Sequence, residues 1–240
     1  MIIPHRSELL NLIARANCYR TYLEIGVRNP QSTYDRICCC NKTGVDPAPQ
    51  MPCTHVMTSD EFFENVQSQL DVRYDLVFID GLHEAHQVYR DTINALANLS
   101  CDGTIVLHDC NPTESDHQTT IRKPDQKHWT GDTWKAFALL RMTRPDLDMF
   151  TVNTDWGLGV IRYGKQNVFP ISNSIDEMDY ELLSEHRVEL MNLIECNTIT
   201  QKQLRAPRCK FPEILTRRLL NTANIFTSTL LRVRRRVFRK

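Results

Sequence analysis

Glycine, long apolar runs and net charge are all scarce in this chain. Only 8 of its 240 residues are glycine. They nowhere form the G-x-G-x-x-G turn that cradles a pyrophosphate, which counts against an NAD site. No apolar run approaches the ~20 residues needed to cross a bilayer, and Met1 to Leu12 carries charges. Neither a membrane span nor a signal peptide is therefore expected, and the chain reads as cytoplasmic. Internal repeats are absent. The 9 cysteines are odd in number, and Cys38-Cys39-Cys40 are consecutive, which fits neither a paired disulfide framework nor a C-x-x-C zinc pattern. Reduced thiols are expected, the triplet at buried helix positions. Cys18, Cys53, Cys101, Cys110, Cys196 and Cys209 are too scattered to name a metal site.

What is present is a chain with 41% hydrophobic residues, enough for one substantial core. The most informative stretch runs from Tyr74 to Pro112. Leu76 to Ile79 is a short continuous apolar run suited to a parallel strand buried on both faces, and it stops at Asp80-Gly81-Leu82-His83. Ala85, Val88, Tyr89, Thr92, Leu96 and Leu99 then recur at helical spacing. Cys101-Asp102-Gly103 reads as a turn, and Thr104 to Leu107 as a second buried strand ending at His108-Asp109-Cys110-Asn111-Pro112. Such strand-helix-strand units are right-handed and parallel, so Asp80, His83, His108 and Asp109 are expected on one rim, where open α/β sheets bind ligands. Each alone could instead be a helix cap or turn former.

Upstream, Tyr22-Leu23-Glu24-Ile25-Gly26-Val27 reads as a first strand and turn, and Lys42-Thr43-Gly44-Val45-Asp46 as a second strand. A carboxylate in the place of Asp46, about 20 residues past the first turn, is the usual acceptor for ribose hydroxyls. Thr58-Ser59-Asp60-Glu61 has the T-x-x-E spacing of a capping box starting a helix from Glu61 to Leu70, with or without a ligand.

These segments together resemble the class I S-adenosylmethionine-dependent methyltransferases, and within them the methyltransferase-24 type domain. Tyr22 to Val27 is similar to that family's first motif, Gly44-Val45-Asp46-Pro47 to its second, and Thr58 to Phe63 to its third-strand exit. Phe78 to His83 and Val106 to Pro112 resemble the fourth and fifth. Gly131 to Ala136 and Trp156 to Val160 resemble later segments, so that about residues 1 to 165 are covered. The resemblance implies a Rossmann-like, doubly wound α/β fold with a seven-stranded sheet whose last strand is antiparallel, and S-adenosylmethionine as cofactor. It places Glu24 and Gly26 beside the methionine part and ribose, Asp46 on the ribose hydroxyls, and Ser59 and Asp60 near the adenine. Pro30 departs from the family, whose members commonly have glycine there. By fixing φ it implies a differently shaped first loop.

Methyl transfer to a hydroxyl requires the acceptor to lose a proton while it attacks the sulfonium methyl. In related metal-dependent O-methyltransferases, acids after the fourth and fifth strands hold Mg²⁺, and Asp80 and Asp109 match those positions. His108 and Asn111 are weaker candidates, and an imidazole ligand at His108 would favour Mn²⁺, Fe²⁺ or Zn²⁺. His83, three positions past Asp80, is the expected general base, because a neutral imidazole can take a proton at physiological pH; otherwise it belongs to the N-cap region of the next helix. His86 reads as a solvated helix residue. The expected activity is metal-assisted O-methylation of a small-molecule or glycan-like hydroxyl. Two alternatives stay open: a metal-dependent hydrolase or oxygenase using Asp80, His83, His108 and Asp109, and a noncatalytic binding module that keeps the fold.

The polar loop from Thr113 to Trp129, with His117, Arg122, Lys123, Lys127, His128 and Trp129, is placed to overhang the acceptor site or to be a solvated loop. Trp134 and Phe137 are expected in the core. Residues 166–205 form a helical extension, with Tyr180 to Cys196 as one or two helices packed on the body, and 206–240 a basic amphipathic tail. From Gln201 onward twelve basic residues face the single Glu213, a net +11 that leaves −11 on the first 200 residues. Apolar groups interleave with that charge, as in helices lying on anionic membranes; an acidic partner, the chain's own acidic body, RNA binding or disorder would explain it too. Assembly with a second copy is left open.

Overall fold

The computed structural model describes residues 5–70, 72–171 and 173–207, which belong to one compact unit. The basic tail from Arg208 onward lies outside the described residues. Helix α1 (Arg6–Asn17) begins where the His5 side chain accepts from the Ser7 amide and ends at Cys18, which adopts the left-handed conformation that closes helices. The chain continues through β1 (Thr21–Ile25), β2 (Asn41–Val45) and α2 (Ser59–Glu61), which runs on through a π turn at Phe62–Val66 and a 3₁₀ turn at Gln67–Gln69. Then come β3 (Tyr74–Ile79), α3 (Ala85–Ala97), β4 (Leu99–Leu107), α4 (Trp134–Thr143), β5 (Leu147–Asn153), β6 (Leu158–Tyr163), α5 (Tyr180–Met191), β7 (Leu193–Glu195) and α6 (Gln201–Leu204).

The seven strands form one sheet in the order β2-β1-β3-β4-β6-β5-β7. All pairings are parallel except those of β6, which runs antiparallel to both β4 and β5. The strands are buried on both sides because alternate residues serve two cores. Leu23, Val77, Ile79, Ile105 and Leu107 pack on one face with α3, α4 and α5, and Tyr22, Leu76, Phe78 and Val106 on the other with α1. Trp134 and Phe137 are fully buried, as their helical spacing implies.

Four local expectations are corrected. The turn at Cys101-Asp102-Gly103 is instead an irregularity inside β4, where the register with β3 shifts between Tyr74 and Leu76. Sheet pairing on either side overrides the local turn chemistry. The cysteine triplet is not helical but leads into β2, with Cys39 buried and Cys38 and Cys40 exposed. Where a third strand was expected, only an isolated bridge between Val45 and His55 forms. The stretch from Tyr180 to Cys196 is helical only to Met191. Asn192 turns left-handed at φ 44° and donates to the Met149 carbonyl at 2.8 Å, and the chain then joins the sheet as β7 beside β5. The seventh strand thus comes from the extension, while β6 is the last strand before it.

Candidate active site

The parallel strands β1, β2, β3 and β4 end in register. The amide of Gly26 donates to the Val45 carbonyl at 2.8 Å, that of Asp80 to Ile25 at 2.9 Å and that of His108 to Ile79 at 3.1 Å, so Gly26, Asp46, Asp80 and His108 occupy one rim. Gly26 has φ +96°, and a Cβ there would lie 2.2 Å from the Asp80 carbonyl oxygen, so only glycine allows the first turn to pack on the fourth-motif turn. Asp46 is buried and its Oδ1 accepts from the Ala48 amide at 2.7 Å, a tight turn that fixes the carboxylate at the end of β2.

Asp80, His83, His108 and Asp109 converge as the strand ends imply. His83 Nδ1 lies 2.7 Å from Asp109 Oδ2 and 3.3 Å from the Thr130 carbonyl, and its Nε2 lies 3.6 Å from Asp80 Oδ1. His108 Nδ1 is 3.1 Å from Asp80 Oδ1 and 3.1 Å from Asp109 Oδ1, yet makes no hydrogen bond of proper direction, leaving a buried ring nitrogen aimed between two carboxylates. A small, half-open pocket with room for about one water, some 10 Å³, reaches this cluster, lined by Gly81, Leu82, Val88 and Thr133 besides Asp80, His83 and His108.

Two participants were not foreseen from the sequence, Arg6 and Asp155. Arg6, the first residue of α1, donates from Nη1 to Asp80 Oδ2 and from Nε and Nη2 to the two oxygens of Asp155 at 3.0 and 3.2 Å; its backbone amide adds a bond to Asp155 at 2.8 Å. Asp155 is held in place by the β5–β6 hairpin, whose central residues Asp155 and Trp156 are both left-handed, as tight hairpins prefer. That turn is sewn to the segment after β4, with Asn111 N on the Trp156 carbonyl at 2.7 Å and Cys110 N on Gly157 at 3.0 Å. The only local signal was the Asp-Trp-Gly turn between two apolar runs.

Electrostatics follow from this geometry. Burial works against the charged form of Asp80, but His108, Arg6 and His83 outweigh it and hold the carboxyl down at about 2. Burial also opposes charge on His83, yet Asp109 and then Asp80 overcome it and raise its pKa. For His108 burial is again outweighed by Asp80 and Asp109, and the imidazole is pushed well up. Glu24 goes the other way: burial dominates and lifts its carboxyl to about 8, although the Tyr22 hydroxyl donates to it.

The remaining expected residues lie elsewhere. Ser59 and Asp60 face α3, where Gln87 Nε2 donates to Ser59 Oγ at 3.1 Å, to Asp60 Oδ1 at 3.3 Å and to buried Asp91 at 2.9 Å. Thr58 and Glu61 form the anticipated capping box. Asn111 turns away from the cluster to accept from Arg187 and donate to Asn153, which removes it as a cation ligand. His86 is exposed and pairs with Asp176 at 2.9 Å. Above the cluster, the 113–130 loop is not merely solvated. Trp129 stacks on His83 at 5.0 Å, and His117, His128 and Trp156 pack together beside it. The stem docks through Gly131 and Asp132, whose carboxylate accepts from Ala85 N at the start of α3.

The strand order, with parallel strands ending on one rim, defines a Rossmann-like α/β fold. Residues 31–110 match the family model described as a methyltransferase domain. Among solved structures it is similar to a putative O-methyltransferase from Klebsiella pneumoniae (12% identity, 68% of this chain and 82% of that one, TM-score 0.48). It is also similar to the O-methyltransferase TomG from Streptomyces achromogenes in complex with SAM (14%, 66% and 79%, TM-score 0.49). A third is the O-methyltransferase from Bacillus cereus in complex with SAH (13%, 67% and 80%, TM-score 0.47). No curated protein sequence matches the chain. Among the described residues no helix is long and apolar enough to cross a membrane.

Proposed function

We propose that this protein is an S-adenosylmethionine-dependent methyltransferase that methylates a hydroxyl of a small-molecule or glycan-like acceptor, with His83 as general base and Asp109 as the group that orients it. The observation carrying this reading is the 2.7 Å contact between His83 Nδ1 and Asp109 Oδ2 on the same rim as Gly26 and Asp46. A carboxylate on Nδ1 fixes the ring and favours the imidazolium that forms when Nε2 takes a proton. The acceptor oxygen attacks the sulfonium methyl in line, its proton passes to His83, and the sulfur leaves as a neutral thioether. On the donor side, Asp46 would hold the ribose hydroxyls, Glu24 and Gly26 the methionine part, and Ser59 and Asp60 the adenine. Trp129, stacked on His83 at 5.0 Å, covers one face of the imidazole.

A divalent cation fits the donor set of Asp80, Asp109 and His108. Asp80, Asp109 and His83 each offer a ligand atom within 4.8 Å of one another. The orphaned Nδ1 of His108 points between the same two carboxylates. Carboxylates alone suit Mg²⁺, whereas an added imidazole favours Mn²⁺, Fe²⁺ or Zn²⁺. When bound, such an ion supplies Lewis acidity that lowers the pKa of an acceptor hydroxyl. Asp80 also presents its carboxylate to both imidazoles and so keeps the base correctly placed.

Calorimetric titration with S-adenosylmethionine, S-adenosylhomocysteine and NAD, each with Mg²⁺ and with EDTA, tests the reading. Saturable binding of the first two and not of NAD is expected. Metal-dependent turnover without any S-adenosylmethionine binding would overturn it in favour of a hydrolase or oxygenase on the same cluster, and no binding at all would favour a noncatalytic module. The proposed contact of the basic tail with an anionic membrane or acidic partner falls on residues outside those described.

A further inference from the structure

We infer that Arg6 is a built-in cation of this site that sets how tightly a divalent ion binds beside it. The inference rests on the reading of Asp80, Asp109 and His108 as cation ligands. The two oxygens of Asp80 have different partners: Oδ2 is taken by the Arg6 guanidinium, and Oδ1 faces His108 and His83 at 3.1 and 3.6 Å. Only one oxygen of Asp80 is therefore left for an ion. The guanidinium cannot simply swing aside, because its Nε and Nη2 fork onto Asp155, and the backbone amide of the same residue donates to that carboxylate too. Asp155 in turn lies 3.4 Å from His108 Nε2, so Arg6 braces both ends of the cluster.

Charge gives the same result. Asp80, Asp109 and Asp155 bring three carboxylates together, and Arg6 is the one side chain among them whose positive charge is permanent. With Arg6 in place one unit of that negative charge is already neutralised before an ion binds. Without it, a further unit of negative charge and a second Asp80 oxygen face the site. An ion then gains attraction and a ligand atom together, in surroundings where charges are weakly screened.

The test is Mn²⁺ binding to the full chain, read by calorimetry and by loss of the free Mn²⁺ paramagnetic resonance signal. Arg6→Gln is expected to bind Mn²⁺ at least tenfold more tightly than the parent, whereas Arg6→Lys, which keeps the charge but cannot fork, stays within about threefold. A merely structural Arg6 would instead weaken binding in both variants, which would overturn the inference. Equal affinity in parent and Arg6→Gln would also overturn it while leaving the ligand assignment standing. Absence of Mn²⁺ binding in parent and variant alike would remove the cation site itself. Thermal melts without metal confirm folding, and Arg6→Met, which keeps the aliphatic stem, replaces Arg6→Gln if that variant does not fold.

Discussion

Glu24 should make the protein lose stability as pH rises across neutrality, and replacing it with glutamine should abolish that loss. The carboxyl is buried in β1 and its folded-state pKa stands at about 8 against 4.5 for an ordinary glutamate. Burial is the dominant cause, the Tyr22 hydroxyl opposes it, and Asp80 adds to it. A group whose folded pKa is raised stabilises the fold fully below its unfolded pKa, and that contribution disappears as pH climbs toward the folded value. The window here runs from about 4.5 to about 8. Each unit of displacement corresponds to ~1.4 kcal/mol, so between pH 5 and pH 8 the linkage amounts to ~3 kcal/mol of unfolding free energy. Glu24→Gln keeps an acceptor for the Tyr22 hydroxyl but cannot ionise. Urea unfolding of both proteins at half-unit steps from pH 5 to 8.5 is the assay, with the difference in unfolding free energy as the readout. The variant should gain on the parent steadily as pH rises. Parallel curves would refute the reasoning, since they would mean that Glu24 titrates alike in the folded and unfolded chains.

The other predictions concern the site and its support. His83→Ala should leave S-adenosylmethionine affinity intact and lower turnover by ~10²- to 10⁴-fold, the usual contribution of a general base; full activity in a single-turnover assay would clear His83. Asp46→Ala should weaken S-adenosylmethionine binding without altering Mn²⁺ uptake, and Asp109→Ala should do the reverse; paired calorimetric titrations decide, and a common loss in both would mean that the two sites are not separable. Trp134→Ala, at a fully buried position in the α3–α4 core, should cost ~3–5 kcal/mol of stability by denaturant titration.

The strand-helix-strand unit from Tyr74 to Leu107 was legible because continuous apolar runs have few folded solutions, and parallel connectivity then forces Asp80, His83, His108 and Asp109 onto one rim. Arg6 and Asp155 were not legible, because their contact closes across 149 positions and depends on where a hairpin turn points. Apolar spacing continues past Met191 into Leu193 and Ile194, which is why β7 looked helical. What stops the helix is the left-handed Asn192, whose amide side chain bonds to Met149 across the sheet edge. The turn at Cys101-Asp102-Gly103 was legible as local chemistry but not as an excursion within a strand, since its neighbours Leu99 and Thr104 are already claimed by β3.

The backbone conformations around the cluster explain why its carboxylates converge at all. Asp109 sits at φ 58°, Asp155 at 45° and Trp156 at 65°, all left-handed positions that a side chain adopts at a cost of ~1–3 kcal/mol where the surroundings enforce it. Here two inter-segment hydrogen bonds, from Cys110 to Gly157 and from Asn111 to Trp156, impose that conformation. The β5–β6 turn is thereby locked to the end of β4. Gly157 completes the join, since a Cβ there would lie 2.5 Å from the Asn111 nitrogen. The acids are consequently fixed by backbone stitching rather than by mutual attraction, which for like charges would have driven them apart. The cations come second: Arg6, His83 and His108 are drawn to carboxylates that the fold has already placed. Removal of one cation should therefore change what the site binds more than where its acids stand.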